Sequence, residues 1–210
     1  MSSGKKSRSP KKKTLRTKTN SKKTRKSRAA PPAAATTRST EPVSPRSRLA
    51  YLSLGSNVGN RRDHLTRAIA EISRLAPVVA ASAFYSTGPV GHADQRRFWN
   101  AVVAIRWMGS PERLLTAVQE VERRGGRVPT FRNGPREIDV DILDVGGLVR
   151  TGRDPLLPHP RIAGRRFVLA PLDEIAPGWK HPVTGLTARQ MLAGLPARPS
   201  VRKIRSQTED

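Results

Sequence analysis

Gly134–Leu143 reads GPREIDVDIL, and from Ile138 onward aliphatic and acidic side chains alternate: Ile138, Asp139, Val140, Asp141, Ile142. A period of two marks a half-buried β-strand, with one face apolar and the other carrying two carboxylates. Residues i and i+2 leave a strand on the same side, their Cα atoms roughly 6.6 Å apart. Asp139 and Asp141 are therefore expected to converge above a sheet while Val140 and Ile142 pack below it. Two carboxylates this close repel unless a cation lies between them, and oxygen-only ligands on a rigid element suit Mg2+. Taken alone, such a pair is more often an acidic, exposed sheet face. Its neighbours change that balance. Arg136 stands just before the strand and Arg127 and Arg132 lie in the preceding loop, which is bounded by Gly125-Gly126 and Gly134-Pro135. Guanidinium forks beside a carboxylate–metal centre match the needs of phosphoryl transfer, and a glycine-hinged loop can close over a substrate.

Working outward from that strand, the chain punctuates itself clearly. Leu49–Leu54 reads as a first strand stopped by Gly55-Ser56-Asn57, with Asn57 or Asn60 available to cap a helix carrying Leu65, Ala68, Ile69 and Ile72. Pro77 ends that helix, and Val78–Phe84 reads as a second strand before a polar loop, STGPVGHADQRR. Asn100–Ile105 forms a third strand. Ser110-Pro111-Glu112 opens a second helix through Leu114, Leu115, Val118 and Val121, closed by Gly125-Gly126. The order β-α-β-β-α-β predicts an α+β, ferredoxin-like core with an antiparallel sheet. The sequence DVGG predicts a hairpin turn to a short strand at Leu148-Val149, and short C-terminal helices are predicted over 166–175 and 187–192.

Composition divides the chain. Residues 1–48 hold 16 Lys+Arg against one acid, Glu41, a net charge of +15; the remainder carries 24 basic and 15 acidic residues. The first segment has too little apolar surface to offset chain ordering and is expected to be a disordered basic tail. It lacks the apolar core of a secretory signal. Its acid-poor Ser/Arg composition is compatible with an organelle transit peptide, although no amphipathic period supports one. No stretch approaches a membrane span, and the absence of cysteine excludes disulfides and thiolate metal sites. We expect a domain over 49–195, a flexible C-terminal tail over 196–210, a monomeric state and a cytoplasmic location.

Five motifs in order carry a specific resemblance: LSLGSNVGN, FYSTGPVG, RFWNAV, GPREIDVDIL and LPHPRIAGRRFVLAPLDEIAP. Together they resemble the 6-hydroxymethyl-7,8-dihydropterin pyrophosphokinase family of folate biosynthesis, over residues 49–195. The resemblance implies transfer of pyrophosphate from ATP to the pterin hydroxymethyl group, with release of AMP and participation of two Mg2+ ions. By matching motifs it implies that Asp139 and Asp141 hold the metals, while Arg127 and Arg136 stabilise the transferring charge. Gln119, Glu122, Ile142, His159 and Arg165 are implied on the ATP side. Thr87, Gly88, Val90, Phe98, Asn100 and Phe167 are implied around the pterin, where a flat heterocycle needs aromatic faces and a few fixed donors and acceptors. Departures from the family pattern are Asn133 where an aromatic is common, Gly88 for a usual proline and Phe98 for a frequent tyrosine. Asp154 stands in the region where some relatives place a basic ATP contact, and the loop before Arg136 is about one residue shorter than in many relatives.

Two other readings remain at this point. A ferredoxin-like sheet can bind single-stranded nucleic acid on exposed aromatics, helped here by the basic tail, but the aromatic strand motif is missing and Asp139 and Asp141 would repel phosphates. A metal-dependent nuclease fits the two aspartates but lacks a His or Lys placed to activate water. The tail itself is expected to associate nonspecifically with nucleic acid through counterion release.

Overall fold

The computed structural model describes residues 47–88, 96–127, 134–197 and 200–204. The basic segment through residue 46, Val90, Arg132 and Asn133 lie outside the described residues. The elements are β1 (Arg48–Ser56), α1 (Arg61–Leu75), β2 (Val78–Ala81), β3 (Tyr85–Thr87), β4 (Phe98–Trp107), α2 (Pro111–Arg124), β5 (Asp139–Val145), α3 (Arg166–Ile175), α4 (Ala188–Ala193) and β6 (Val201–Lys203). A 3-10 turn, Ile162–Gly164, precedes α3. Asn60, and not Asn57, caps α1 by accepting the Asp63 N–H at 3.1 Å. Ser110 caps α2 through the Arg113 N–H, with Pro111 in the first turn where its missing N–H costs nothing.

The sheet runs β5-β1-β4-β3-β6, with β2 also on β4, and every pairing is antiparallel. This is the expected β-α-β-β-α-β arrangement with one strand divided. Val78–Phe84 does not run as a single strand, because the register shifts between Val78 and Ala80 and Ser82 interrupts the ladder. The Ser82 hydroxyl accepts the Val102 N–H at 3.0 Å, so a side chain substitutes for backbone there. After the turn at Gly146-Gly147, pairing resumes as a single bridge between Arg150 and Leu157, and the expected strand at Leu148-Val149 does not form. The expectation of a flexible tail over 196–210 also needs correction: Val201–Lys203 adds to β3, and Lys203 Nζ reaches Glu174 at 2.7 Å. Glu174 also accepts the Tyr85 hydroxyl at 2.8 Å, which ties that edge to α3.

The two faces of the sheet have separate cores. Leu52, Leu54, Val103, Ile105, Val140 and Ile142 pack beneath α1 and α2. Tyr51, Val102, Ala104 and Leu143 pack beneath α3 and α4. A bulge joins the two regimes on β5: Tyr51 pairs with Asp144 and Leu52 with Ile142, leaving Leu143 as the extra residue. Asp144 is consequently buried, where it accepts the Trp179 indole N–H at 3.1 Å and the Gly147 N–H at 3.0 Å. Burial pushes its carboxyl pKa up. Among the described residues no helix is long and apolar enough to cross a membrane.

One close approach fixes how α2 meets β5. A Cβ on Gly125, at the end of α2, would lie 2.5 Å from Cγ2 of the fully buried Ile138. Gly125→Ala is expected to cost about 1–3 kcal/mol through overpacking, read as a lowered urea midpoint at unchanged m-value.

Candidate active site

Register decides which side chains meet. Gly55 on the central strand β1 pairs with Asn100 of β4 on one side and Asp139 of β5 on the other, and Ser53 pairs with Asp141. Directly opposed residues share a face, so the aspartates and Asn100 look into the same space, two strand spacings or roughly 10 Å apart. Gly55 leaves the floor between them low: a Cβ there would already stand 3.2 Å from Asn100 Oδ1. α3 and α4 cover the far end of this face, and a cavity of about 570 Å³ opens over the near end.

One side of the cavity is charged. Arg136 Nη1 meets Asp139 Oδ2 at 2.5 Å, and Arg127 Nη2 meets Asp139 Oδ1 at 3.2 Å. Arg165 Nη1 meets Asp141 Oδ2 at 2.6 Å, and its guanidinium lies 5.5 Å from the Phe167 ring centroid. His159 Nε2 is 3.8 Å from Asp141 Oδ2. The opposite side is neutral. Asn100 and Thr87 are buried and joined by a 3.0 Å hydrogen bond from Nδ2 to Oγ1, with Gly88, Phe98 and Phe167 completing that wall.

Of the residues singled out from sequence, Asp139, Asp141, Arg136, Arg165, Thr87, Gly88, Phe98, Asn100 and Phe167 line the cavity. Arg127 and His159 reach it through the aspartates. Three residues implied on the nucleotide side are not among those lining the cavity. Ile142 is in the core under α1 and α2, because the residue after Asp141 must point to the opposite face. Gln119 is exposed on α2. Glu122 is buried and committed to protein partners: its carboxylate accepts the Val140 N–H at 2.8 Å and pairs with Arg127. Burial pushes the Glu122 pKa up.

Asn57 is a contact the sequence did not single out for this role. It is buried, its Oδ1 accepts the Arg136 N–H at 2.8 Å, and its own N–H donates to the Arg136 carbonyl at 3.1 Å. This reciprocal pair fixes the backbone from which Arg136 reaches Asp139. The only signal in the sequence was a second asparagine in SNVGN with no capping duty left to perform.

Among the described residues no group of three or more His, Cys, Asp or Glu side chains could hold a metal by itself. Asp139 and Asp141 nevertheless fit Mg2+. They are oxygen donors on one face of a strand, with side chains 24% and 32% exposed toward the cavity, and Mg2+ commonly takes one or two carboxylates plus water and substrate phosphates.

His159 provides a pH-dependent signature. Its Nδ1 accepts the Arg161 N–H at 3.1 Å, which leaves the proton on Nε2. Burial holds its pKa below the ordinary 6.5, against the upward pull of Asp141. A depressed folded-state pKa contributes stability that is complete above 6.5 and is lost as pH falls through the folded value. The melting temperature is therefore expected to fall between pH 7.5 and 5.5. His159→Asn, which keeps an acceptor near Nδ1 but cannot take a proton, is expected to shrink that fall.

Comparison with known proteins adds a family. The family model described as 7,8-dihydro-6-hydroxymethylpterin-pyrophosphokinase matches residues 51–177. The chain is 42% identical over 148 residues to the 2-amino-4-hydroxy-6-hydroxymethyldihydropteridine pyrophosphokinase of Methylorubrum extorquens, covering 70% of this chain and 92% of that one. It is 33% identical over 156 residues to the folic acid synthesis protein FOL1 of Dictyostelium discoideum, covering 74% of this chain; it spans about a quarter of that longer relative, 24%. Among solved structures, the HPPK-DHPS of Plasmodium falciparum with pteroate superposes with a TM-score of 0.58 at 13% identity, covering 70% of this chain and 44% of that one. At that identity the likeness is one of fold.

Proposed function

The chain belongs to the 7,8-dihydro-6-hydroxymethylpterin-pyrophosphokinase family, and on that premise we propose that it transfers pyrophosphate from ATP to 6-hydroxymethyl-7,8-dihydropterin, a step of folate biosynthesis. The observation that carries this reading is the two-sided cavity. A pair of carboxylates ringed by Arg127, Arg136 and Arg165 lies across a bare glycine floor from the Asn100–Thr87 pair and two phenylalanines.

In the reaction the pterin hydroxymethyl oxygen attacks the β-phosphorus of ATP. The bond from that phosphorus to the α-phosphate oxygen breaks, and AMP leaves. Asp139 and Asp141 would hold the two Mg2+ ions, which when bound offset triphosphate charge and orient the phosphates. Arg136 and Arg127 face the transferring group with fixed forks, where fixed positive charge lowers the barrier most. Arg165 and His159, beside Asp141, serve the nucleotide side. Phe98 and Phe167 offer faces for the pterin ring, and Asn100, held by Thr87, presents its carboxamide to the ring edge. Gly88 places backbone at the same edge, and Val90 is assigned there as well. Gln119, Glu122 and Ile142 are assigned to the nucleotide side as well, with Glu122 also anchoring Arg127 and the Ile142 side chain seating β5 in the core.

The test is direct. The protein with ATP, Mg2+ and the hydroxymethyl dihydropterin is expected to form AMP only when the pterin is present; no pterin-dependent AMP would overturn the assignment. We also assign to residues 1–48 a salt-sensitive, nonspecific association with nucleic acid, supported by their net charge of +15. Salt-insensitive and equal retention on DNA by the full chain and by a version starting at Arg48 would remove it. The protein is proposed to act in the cytoplasm as a monomer.

A further inference from the structure

Arg166, the first residue of α3, lines the cavity and links α3 to the end of α4. Its Nη1 donates to the carbonyl oxygens of Leu192 and Leu195, each at 3.1 Å. Leu192 lies in the last turn of α4 and Leu195 just beyond it, so this guanidinium brings a cation to the C-terminal end of α4, where the helix favours one. Its Nε is buried with no partner among the described residues, and the two carbonyls are what hold it. Leu195 and Pro196, which follow at once, also line the cavity. Leu195 and Phe167 both pack against the core beneath α3 and α4 and both line the cavity, so the residue after Arg166 and the segment Arg166 clamps contribute apolar surface to it. Leu195 and Pro196 lie beyond residue 177, where the family match ends.

We infer that Leu195 and Pro196 form an apolar wall of the pterin end of the cavity, with Leu195 a specificity-determining contact and Arg166 the positioning residue that holds the wall in place. An uncharged leucine–proline pair offers nothing to a triphosphate, which Arg127, Arg136 and Arg165 already face. A flat heterocycle against Phe167 gains from a second apolar surface. The inference rests on reading this cavity as a pterin site.

Equilibrium binding separates the two ideas. The full chain is saturated with Mg2+ and a non-transferable ATP analogue, and 6-hydroxymethyl-7,8-dihydropterin is titrated in by calorimetry. Leu195→Ala and Arg166→Ala are each expected to weaken pterin binding about tenfold, the scale of a lost apolar pocket contact. The Kd of the ATP analogue should stay within about twofold, which a general loss of structure would not allow. Arg166→Lys, whose ammonium can still donate to both carbonyls, is expected to restore most of the affinity. If Arg166→Ala does not fold, Leu195→Ala decides alone. Pterin affinity unchanged in Leu195→Ala, or pterin and ATP affinity falling together, would overturn the wall. A wild-type chain that binds no pterin would overturn the pyrophosphokinase reading and the wall with it.

Discussion

Asp141→Asn is expected to lower kcat/KM by at least about 10³-fold, a loss near 4 kcal/mol in transition-state stabilisation, while the melting temperature stays within a few degrees. The substitution is nearly isosteric and removes a single negative charge. Asp141 sits mid-strand with a side chain 32% exposed, so its 2.6 Å pair with Arg165 is partly screened by solvent. Such pairs contribute roughly 0–1 kcal/mol to folding. On the proposed reaction the loss is far heavier for catalysis: a triphosphate entering a cavity ringed by guanidiniums would need a fixed negative centre to hold Mg2+, and without Asp141 only Asp139 would be left for it. Asp139 is the less clean test, because it also pairs with Arg127 and Arg136 and its loss would disturb both. The measurement is steady-state AMP formation beside thermal unfolding of the same preparation. Wild-type turnover in Asp141→Asn would remove the metal-binding role from this strand.

The alternation in IDVDI was enough to separate two acids from three aliphatics, and the structure places them on opposite faces as the period requires. The same rule sends the Ile142 side chain into the core, on the face opposite the two aspartates. The burial of Glu122 was less easily seen: Leu114, Val118, Val121 and Glu122 follow helical spacing on one face, and all four are buried. The pattern contained that signal, and the charge hid it. The division of the second strand was not legible, because nothing in Ala80–Phe84 announces that the Ser82 hydroxyl will replace a ladder bond. The edge strand β6 and the Leu195–Pro196 wall were invisible as well. Both depend on contacts made across long separations: β6 with β3, and Arg166 with the end of α4.

Arg136→Ala is expected to lower kcat by about 10²-fold or more, the scale for loss of one preorganised charge-stabilising donor, with little change in stability. Arg136 is held at both ends. Its backbone exchanges hydrogen bonds with Asn57 at 2.8 and 3.1 Å, and its Nη1 meets Asp139 at 2.5 Å. That clamp is what turns a flexible side chain into a fixed one, so the entropy of ordering it is already spent on folding. Lysine should not rescue it, since a point charge on a mobile stem cannot offer one donor to Asp139 and another to a phosphate in the same plane. Asn57 supplies the discriminating case. Asn57→Ala leaves every charge in the cavity in place and removes the Oδ1 acceptor for the Arg136 N–H. If Arg136 acts through its orientation, Asn57→Ala should reduce kcat by about tenfold with the KM for ATP nearly unchanged. The double variant with Arg136→Ala should be no worse than Arg136→Ala alone, because the two substitutions remove one function. Additive losses would mean that Asn57 serves the cavity by some route other than Arg136.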